Sequence, residues 1–65
     1  MRVRINGELR EVEATTIEAV LTSLALPVDR VAVEHNGAIV RRAERPLTRI
    51  NDGDVLEIVT LVGGG

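Results

Sequence analysis

Hydrophobic and polar residues alternate at the start of the chain, as in a strand with one buried face. The alternation runs over Arg2-Val3-Arg4-Ile5, and Asn6-Gly7 follows directly. Asn-Gly is a strong hairpin signal, because both residues tolerate the positive φ of a type I′ turn. We therefore expect a return strand over residues 8–13. Leu9 and Val12 do not alternate, so this strand is expected to contain a bulge or to have a shifted end.

The period then changes to that of a helix. Apolar residues recur at i, i+3, i+4 and i+7, which predicts one buried helix face formed by Ile17, Val20, Leu21 and Leu24. Thr15 and Glu18 have the spacing of a capping box, which predicts where the helix begins. Pro27 cannot continue a helix, so a helix of about ten residues should end near residue 25 or 26.

A second hairpin is expected after the helix. Valines at positions 31 and 33 predict a third strand, which stops at a second Asn-Gly pair, Asn36-Gly37. Ile39-Val40 predicts a short fourth strand on the other side of this turn.

The stretch 41–50 is polar and has no clear period. Pro46 breaks regular structure there, and Leu47 and Ile50 are expected to anchor the stretch to the core. It also holds a basic run: Arg41, Arg42, Arg45 and Arg49. RNA binding is disfavoured, because the chain has no aromatic side chain to stack on bases and a formal net charge of −2. We expect a solvated loop, or contact with an acidic rim on a protein partner.

The longest apolar stretch covers residues 55–62, after the turn at residues 51–54, and predicts the last and most central strand. If Glu57 faces water, the alternation divides the other residues between two faces. Leu56 and Ile58 then face the core, whereas Val55, Val59 and Leu61 share the outer face with Glu57. Exposed apolar residues of this kind usually mark a docking surface.

These elements predict an α+β fold, with one helix packed on a mixed four- to five-stranded sheet. A chain of 65 residues makes one small domain. The absence of cysteine excludes disulfides and fits a reducing cytoplasm. We expect neither export nor membrane crossing, because the sequence shows no leader pattern and no apolar run of about 20 residues.

No group of residues suggests catalysis by the chain itself. An enzyme needs a nucleophile, a base and an orienting group, yet the sequence has no cysteine, no lysine and one histidine. His35 lies just before a turn and is expected to face solvent at the end of a strand. A calcium site at Asn51, Asp52 and Asp54 is disfavoured, because two carboxylates fall short of the roughly 6–8 oxygen ligands that Ca²⁺ takes.

The sequence closes on Leu61-Val62 followed by Gly63-Gly64-Gly65. A glycine run packs poorly and loses much entropy when ordered, so it suits a narrow, extended tail. Such a tail with a free carboxylate can be threaded into the channel of an enzyme. A frayed terminus or a linker is the simpler alternative.

The order of elements, the length and the closing glycines together resemble the thiamine-biosynthesis sulfur carriers of the ThiS family. These are β-grasp proteins of the ubiquitin-like superfamily, and the molybdopterin-synthase small subunits (MoaD) are their near relatives. The resemblance covers the whole chain, on MRVRING at residues 1–7, TRINDGD at 48–54 and VGGG at 62–65. Gly63 is a departure, because it precedes the diglycine and lengthens the tail.

The resemblance implies a carrier and not a catalyst. The Gly65 carboxylate would be adenylated with ATP by an E1-like adenylyltransferase (ThiF type). It would then become a thiocarboxylate that donates sulfur to a thiazole synthase (ThiG type). Metal ions and acid–base groups would come from the partner, so the chain is expected to hold no cofactor or metal of its own.

The resemblance also divides the chain into a β-grasp domain, residues 1–62, and a flexible tail, residues 63–65. The predicted partner-binding residues combine the exposed apolar residues of the last strand with the closing residues: Val59, Leu61, Val62, Gly63, Gly64 and Gly65. Four alternatives stay open: a molybdopterin-type carrier, a carrier for tRNA thiolation, a carrier for amino-acid biosynthesis, and a β-grasp interaction module with an inert tail.

Overall fold

The structure is a computed structural model that describes residues 1–61. Its regular elements are β1 (Arg2–Ile5), β2 (Glu8–Glu11), α1 (Ile17–Ser23), β3 (Val31–His35), β4 (Ala38–Val40) and β5 (Val55–Thr60). Two 3₁₀ helices, Val28–Arg30 and Arg42–Leu47, lie in the connections. The strands form one sheet in the order β2-β1-β5-β3-β4, in which β1 and β5 run parallel. The predicted α+β fold is confirmed, and β5 is the central strand.

Both Asn-Gly pairs form the predicted tight turns. Asn6 and Asn36 have φ of 51° and 50°, and the glycine after each has φ of 86°. Positive φ at both central residues is the conformation that a type I′ turn requires. The two hairpins, β1–β2 and β3–β4, are antiparallel and lie at opposite edges of the sheet.

The second strand has a shifted end, which was one of the two predicted alternatives, and it contains no bulge. β2 pairs with β1 in continuous register from Ile5↔Glu8 to Arg2↔Glu11 and ends at Glu11. Leu9 is exposed and Val12 is buried, because residues three apart point to opposite sides of an extended chain. Their spacing therefore reflects two faces and not an inserted residue.

The helix begins one residue later than the predicted capping box. Thr16 is the N-cap, and its Oγ1 accepts a hydrogen bond from the Ala19 N–H at 3.1 Å. The Thr15 carbonyl instead accepts from the Ile50 N–H at 3.0 Å. Thr15 thus pairs with the segment before β5, and the capping role passes to Thr16, the residue next to the first helical residue.

The helix is also shorter than predicted, with seven residues. Ala25 follows the C-cap with φ of 55°, and its N–H donates to the Thr22 carbonyl. The Leu26 N–H donates to the Leu21 carbonyl. This pair of bonds is a Schellman motif, which ends the helix before Pro27 is reached.

The core is aliphatic and lies between α1 and one face of the sheet. Its fully buried side chains come from the helix and the three inner strands: Val3, Ile17, Val20, Leu21, Val33 and Leu56. Ile50 anchors the connection before β5, as predicted, with 3% exposure. The same prediction for Leu47 is wrong, because this side chain is 79% exposed at the end of a 3₁₀ helix.

Arg45 is buried, although the sequence placed it in a solvated basic run. Its guanidinium donates to the carbonyls of Val28 and Val31 at 2.8 and 2.7 Å. These two bonds tie the second 3₁₀ helix to the chain that enters β3. Arg45 is therefore structural and is not available to an acidic partner.

Candidate functional site

The outer side of β5 carries the exposed apolar residues that the sequence predicted. Val55, Val59 and Leu61 are 39%, 57% and 52% exposed, whereas Leu56 and Ile58 are 0% and 7% exposed. Glu57 is exposed on the same side as Val59. The predicted facing of this strand is therefore confirmed.

Neighbouring strands extend this surface, because paired residues in adjacent strands point to the same side of a sheet. Val59 pairs with Ala32, Glu57 pairs with Glu34, and Glu34 pairs with Ile39. On the other side, Val55 pairs with Arg4 and Arg4 pairs with Leu9. The term "outer face" denotes this surface: Arg4, Leu9, Ala32, Glu34, Ile39, Val55, Glu57, Val59 and Leu61.

Leu61, the last described residue, lies directly after β5 on the outer face. The Leu61 N–H donates to the Arg30 carbonyl at 2.5 Å, one position beyond the end of β5. The strand thus ends at Thr60, whereas the sequence predicted Val62. The remaining predicted partner-binding residues, Val62, Gly63, Gly64 and Gly65, lie outside the described residues.

The turn asparagines brace β5 in a way that the sequence analysis missed. The Asn6 side-chain amide accepts from the Ile58 N–H at 2.7 Å and donates to the Ile58 carbonyl at 2.9 Å. The Asn36 Oδ1 accepts from the Val55 N–H at 2.8 Å. A carboxamide offers both a donor and an acceptor, which is the signal that could have indicated this role.

A polar network fixes the start of β5. The His35 Nε2 lies 2.7 Å from the Asp54 Oδ2, which also accepts from the Asn51 N–H at 2.8 Å. Asn36 donates to the Asp54 Oδ1 at 3.2 Å. The predicted solvent-facing position of His35 is wrong, because its side chain is only 18% exposed and is held by Asp54.

The Asp54 carboxylate is stabilised in its charged form. Its burial alone would raise its pKa, but hydrogen bonds from His35, the Asn51 N–H and Asn36 outweigh burial and lower the pKa below its usual value. These contacts leave the carboxylate engaged, and the turn at residues 51–54 is structural. Among residues 1–61, no group of three or more His, Asp or Glu side chains is placed to hold a metal ion.

A cavity of about 230 Å³ opens on the helix side of the sheet, between the end of α1 and the strands. Its lining mixes aliphatic and charged residues: Ile5, Asn6, Glu8, Arg10, Leu24, Leu26, Ile58 and Thr60. Arg10 and Glu8 form an ion pair at 4.0 Å. The cavity lacks a nucleophile with a neighbouring base, so its residues do not form a catalytic group.

The predicted basic run is divided by the fold. Arg45 is buried, and Arg42 forms an ion pair with Asp29. Arg41 and Arg49 are exposed at the two ends of the stretch. The run is therefore not a uniform cationic strip of the kind that follows a phosphate backbone. No helix within residues 1–61 is long and apolar enough to span a bilayer.

Comparison with known proteins decides the family. The model of the ThiS family matches residues 3–65, which is nearly the whole sequence. The chain belongs to the ThiS family. The family predicted from the element order and the closing glycines is thereby confirmed.

Relatives of two kinds accompany this match. The chain is 38% identical to the sulfur carrier protein ThiS of Thermus thermophilus over 63 residues, covering 97% of this chain and 98% of that protein. It is also 46% identical over 66 residues to a thiazole synthase of Paramagnetospirillum magneticum. That match covers all of this chain, yet the chain spans only 20% of the thiazole synthase.

A solved structure supports the fold. The crystal structure of a thiamine biosynthesis protein (ThiS) from Geobacter metallireducens superposes on this chain with a TM-score of 0.86. The match covers 100% of both chains at 29% sequence identity. The five-stranded mixed sheet with one α-helix is thus the β-grasp arrangement of ThiS proteins.

Proposed function

We propose that the chain carries sulfur for the thiazole part of thiamine and that the carboxyl group of Gly65 is the carrier group. The main support is the ThiS family match, which runs through residue 65. A ThiS protein is a carrier and not an enzyme, so the chemistry is performed on its terminus by partners. The exposed outer face beside the point where the chain leaves β5 supports docking of such a partner.

The reaction begins with an unreactive carboxylate. One carboxylate oxygen of Gly65 attacks the α-phosphorus of ATP, and pyrophosphate leaves. Sulfide released by a sulfur donor then attacks the carbonyl carbon: a C–S bond forms, the C–O bond to AMP breaks, AMP leaves, and the product is the thiocarboxylate. In this proposal the partner supplies the groups that bind ATP and deliver sulfur, and the chain has no cysteine of its own to carry that sulfur.

The glycines suit this chemistry for two reasons. Gly64 and Gly65 have no Cβ, so an active site can close around their backbone and align the carboxylate with the α-phosphate. Four residues follow Leu61 in the sequence. Since an extended residue spans at most about 3.3–3.6 Å, the carboxyl group reaches no more than roughly 14 Å beyond Leu61. A partner that acts on it must therefore contact the folded domain as well.

Two partners follow from this proposal, both in the cytoplasm. An E1-like adenylyltransferase would activate the tail and dock on Val59 and Leu61, with Val62 and the tail 63–65 in its active site. A thiazole synthase would receive the sulfur. This second partner is supported by thiazole synthases that contain a segment matching this whole chain. Sharing one chain would raise the effective concentration of carrier and synthase for each other.

ATP–pyrophosphate exchange tests the proposal. A ThiF-type adenylyltransferase should exchange label between pyrophosphate and ATP only when the chain is present. Removal of Gly64 and Gly65 should abolish exchange, while the shortened chain keeps its urea unfolding midpoint. Exchange that survives this deletion would contradict the carrier function and favour an interaction module with an inert tail.

A further inference from the structure

Two acidic residues lie directly opposite each other on the outer face. Glu34 of β3 and Glu57 of β5 are register partners, and both are exposed. Side chains of such partners have Cβ atoms about 4.5–5.5 Å apart, and like charges in this arrangement destabilise a sheet. The free domain therefore carries an unfavourable charge pair in the middle of its exposed apolar surface.

No cation within residues 1–61 neutralises this pair. The ion pairs of the described chain are Arg2–Glu11, Arg10–Glu8, Arg42–Asp29 and His35–Asp54. Arg4 is the arginine of the outer face, and it donates to the Gly7 carbonyl at 3.2 Å. The acidic residues of β2 thus form ion pairs with arginines, whereas Glu34 and Glu57 form none.

The surroundings of the pair are those of a protein interface. Glu34 lies between Glu57 and Ile39, which is 76% exposed, and Val59 is the next residue of β5 on this side. A charge surrounded by apolar side chains loses solvent when another protein covers it, so it then needs an opposite charge. A partner surface that fits has an apolar centre and one cationic side chain facing the two carboxylates.

We propose that Glu34 and Glu57 together bind an arginine or lysine of the adenylating partner. This inference rests on the proposed carrier function. The adenylating partner is chosen because it must recognise the chain before activation. At that stage the tail offers only glycines and a plain carboxylate, so selectivity must come from the folded domain. One cation between the two carboxylates also removes their mutual repulsion, which makes the attraction stronger in the complex than a single pair would be.

Neutral and reversed charges at Glu57 test the inference. Glu57→Gln and Glu34→Gln should each slow association with a ThiF-type adenylyltransferase by about 3–10-fold at low salt and weaken its salt dependence. Glu57→Arg should bind least well. The urea unfolding midpoint of each variant should stay equal or rise, because the repulsion within the sheet is removed.

Slower association together with an equal or higher unfolding midpoint would distinguish recognition by the partner from a structural role of the two glutamates. Glu13→Gln is the matched control for the two other Gln variants, because Glu13 is exposed, lies between β2 and α1, and its replacement changes the net charge by the same one unit. Stopped-flow association and urea unfolding are measured for all four variants. Association rates equal to that of the control would overturn the inference, as would slowed binding only to a thiazole synthase or to a second copy of the chain.

The same samples distinguish failure of the inference from failure of the carrier function. If the unmodified chain supports ATP–pyrophosphate exchange and the Gln variants associate as the control does, the inference alone is wrong. If the unmodified chain neither binds the adenylyltransferase nor supports exchange, the carrier function is wrong and the inference falls with it.

Discussion

The two faces of β5 contain similar aliphatic residues with opposite surroundings. Leu56 and Ile58 are buried against the helix, whereas Val59 and Leu61 are more than half exposed. A one-residue shift of register would exchange these two sets. The inner face of β5 therefore holds the domain together, whereas its outer face makes little contribution to packing. Mutations on the two faces should therefore affect different measurements.

The two ends of β5 differ as well. Its start is held by Asp54, which bonds to His35, Asn36 and the Asn51 N–H. Its end passes through Leu61, whose one described backbone bond goes to the Arg30 carbonyl. The start of β5 is thus fixed by side-chain bonds, whereas its last described position is held by a backbone bond.

The largest expected effect is on the inner face. Leu56→Ala should lower the free energy of unfolding by roughly 2–5 kcal/mol, because it leaves a cavity beneath the helix. Leu61→Ala, the same change on the outer face, should cost about 0.5 kcal/mol or less. Urea unfolding of the two variants checks this. Equal losses would contradict the division of β5 into a structural face and a free face.

The next effect concerns the start of the strand. Asp54→Asn should lower the free energy of unfolding by about 1–3 kcal/mol near pH 7, because it weakens charge-assisted bonds to a buried group. The lowered pKa of Asp54 in the folded state means that its charge adds stability above pH of about 4. That contribution is lost as pH falls through the folded-state pKa.

The pH dependence of the unfolding free energy shows whether the Asp54 charge causes the difference between the two proteins. Urea unfolding at a series of pH values from neutral to acid should show the two proteins converging below pH of about 4. A constant difference between Asp54→Asn and the unmodified chain over this whole range would mean that the Asp54 charge does not contribute.

A third effect should appear in binding and not in folding. Val59→Asp places a charge on the outer face, where it stays hydrated in the free domain. Stability should change by about 0.5 kcal/mol or less, while affinity for a ThiF-type adenylyltransferase should fall about tenfold, or roughly 1.4 kcal/mol. Calorimetric titration measures the affinity. Unchanged affinity would remove the outer face from the docking surface.

The smallest effect is a reference for the others. Ala25 has φ of 55° and is exposed, so a glycine there relieves backbone strain without removing a buried side chain. Ala25→Gly should raise the free energy of unfolding by about 0.5–1 kcal/mol. It should leave affinity for the adenylyltransferase unchanged. If affinity rose together with stability, the measured affinity would depend on the stability of the domain and not on contacts at the docking surface.

Local patterns predicted the features that depend on neighbours in sequence. Alternation was sufficient for the facing of β5, and both Asn-Gly turns need no distant contact. Contacts between distant segments explain the errors. Thr15 is held by Ile50, and Arg45 is buried because two carbonyls beside β3 accept its bonds. Neither contact has a signature in the residues that flank it.

The candidate site divides in the same way. Exposure of Val59 and Leu61 followed from the period of the strand. The sequence does not show that Glu34 and Glu57 lie opposite each other. That position depends on the register between β3 and β5, which the sequence does not specify. The carrier role of Gly65 rests on family membership and the residue types of the tail, which lies beyond the described residues.

Intact mass after incubation with ATP, a sulfur donor and a ThiF-type adenylyltransferase tests the central claim most directly. A carrier should gain a mass equal to the difference between one sulfur and one oxygen atom, and fragmentation should localise this gain to Gly65. The gain should be absent without ATP. An unchanged mass in a mixture where a known ThiS protein is fully converted would contradict the carrier function.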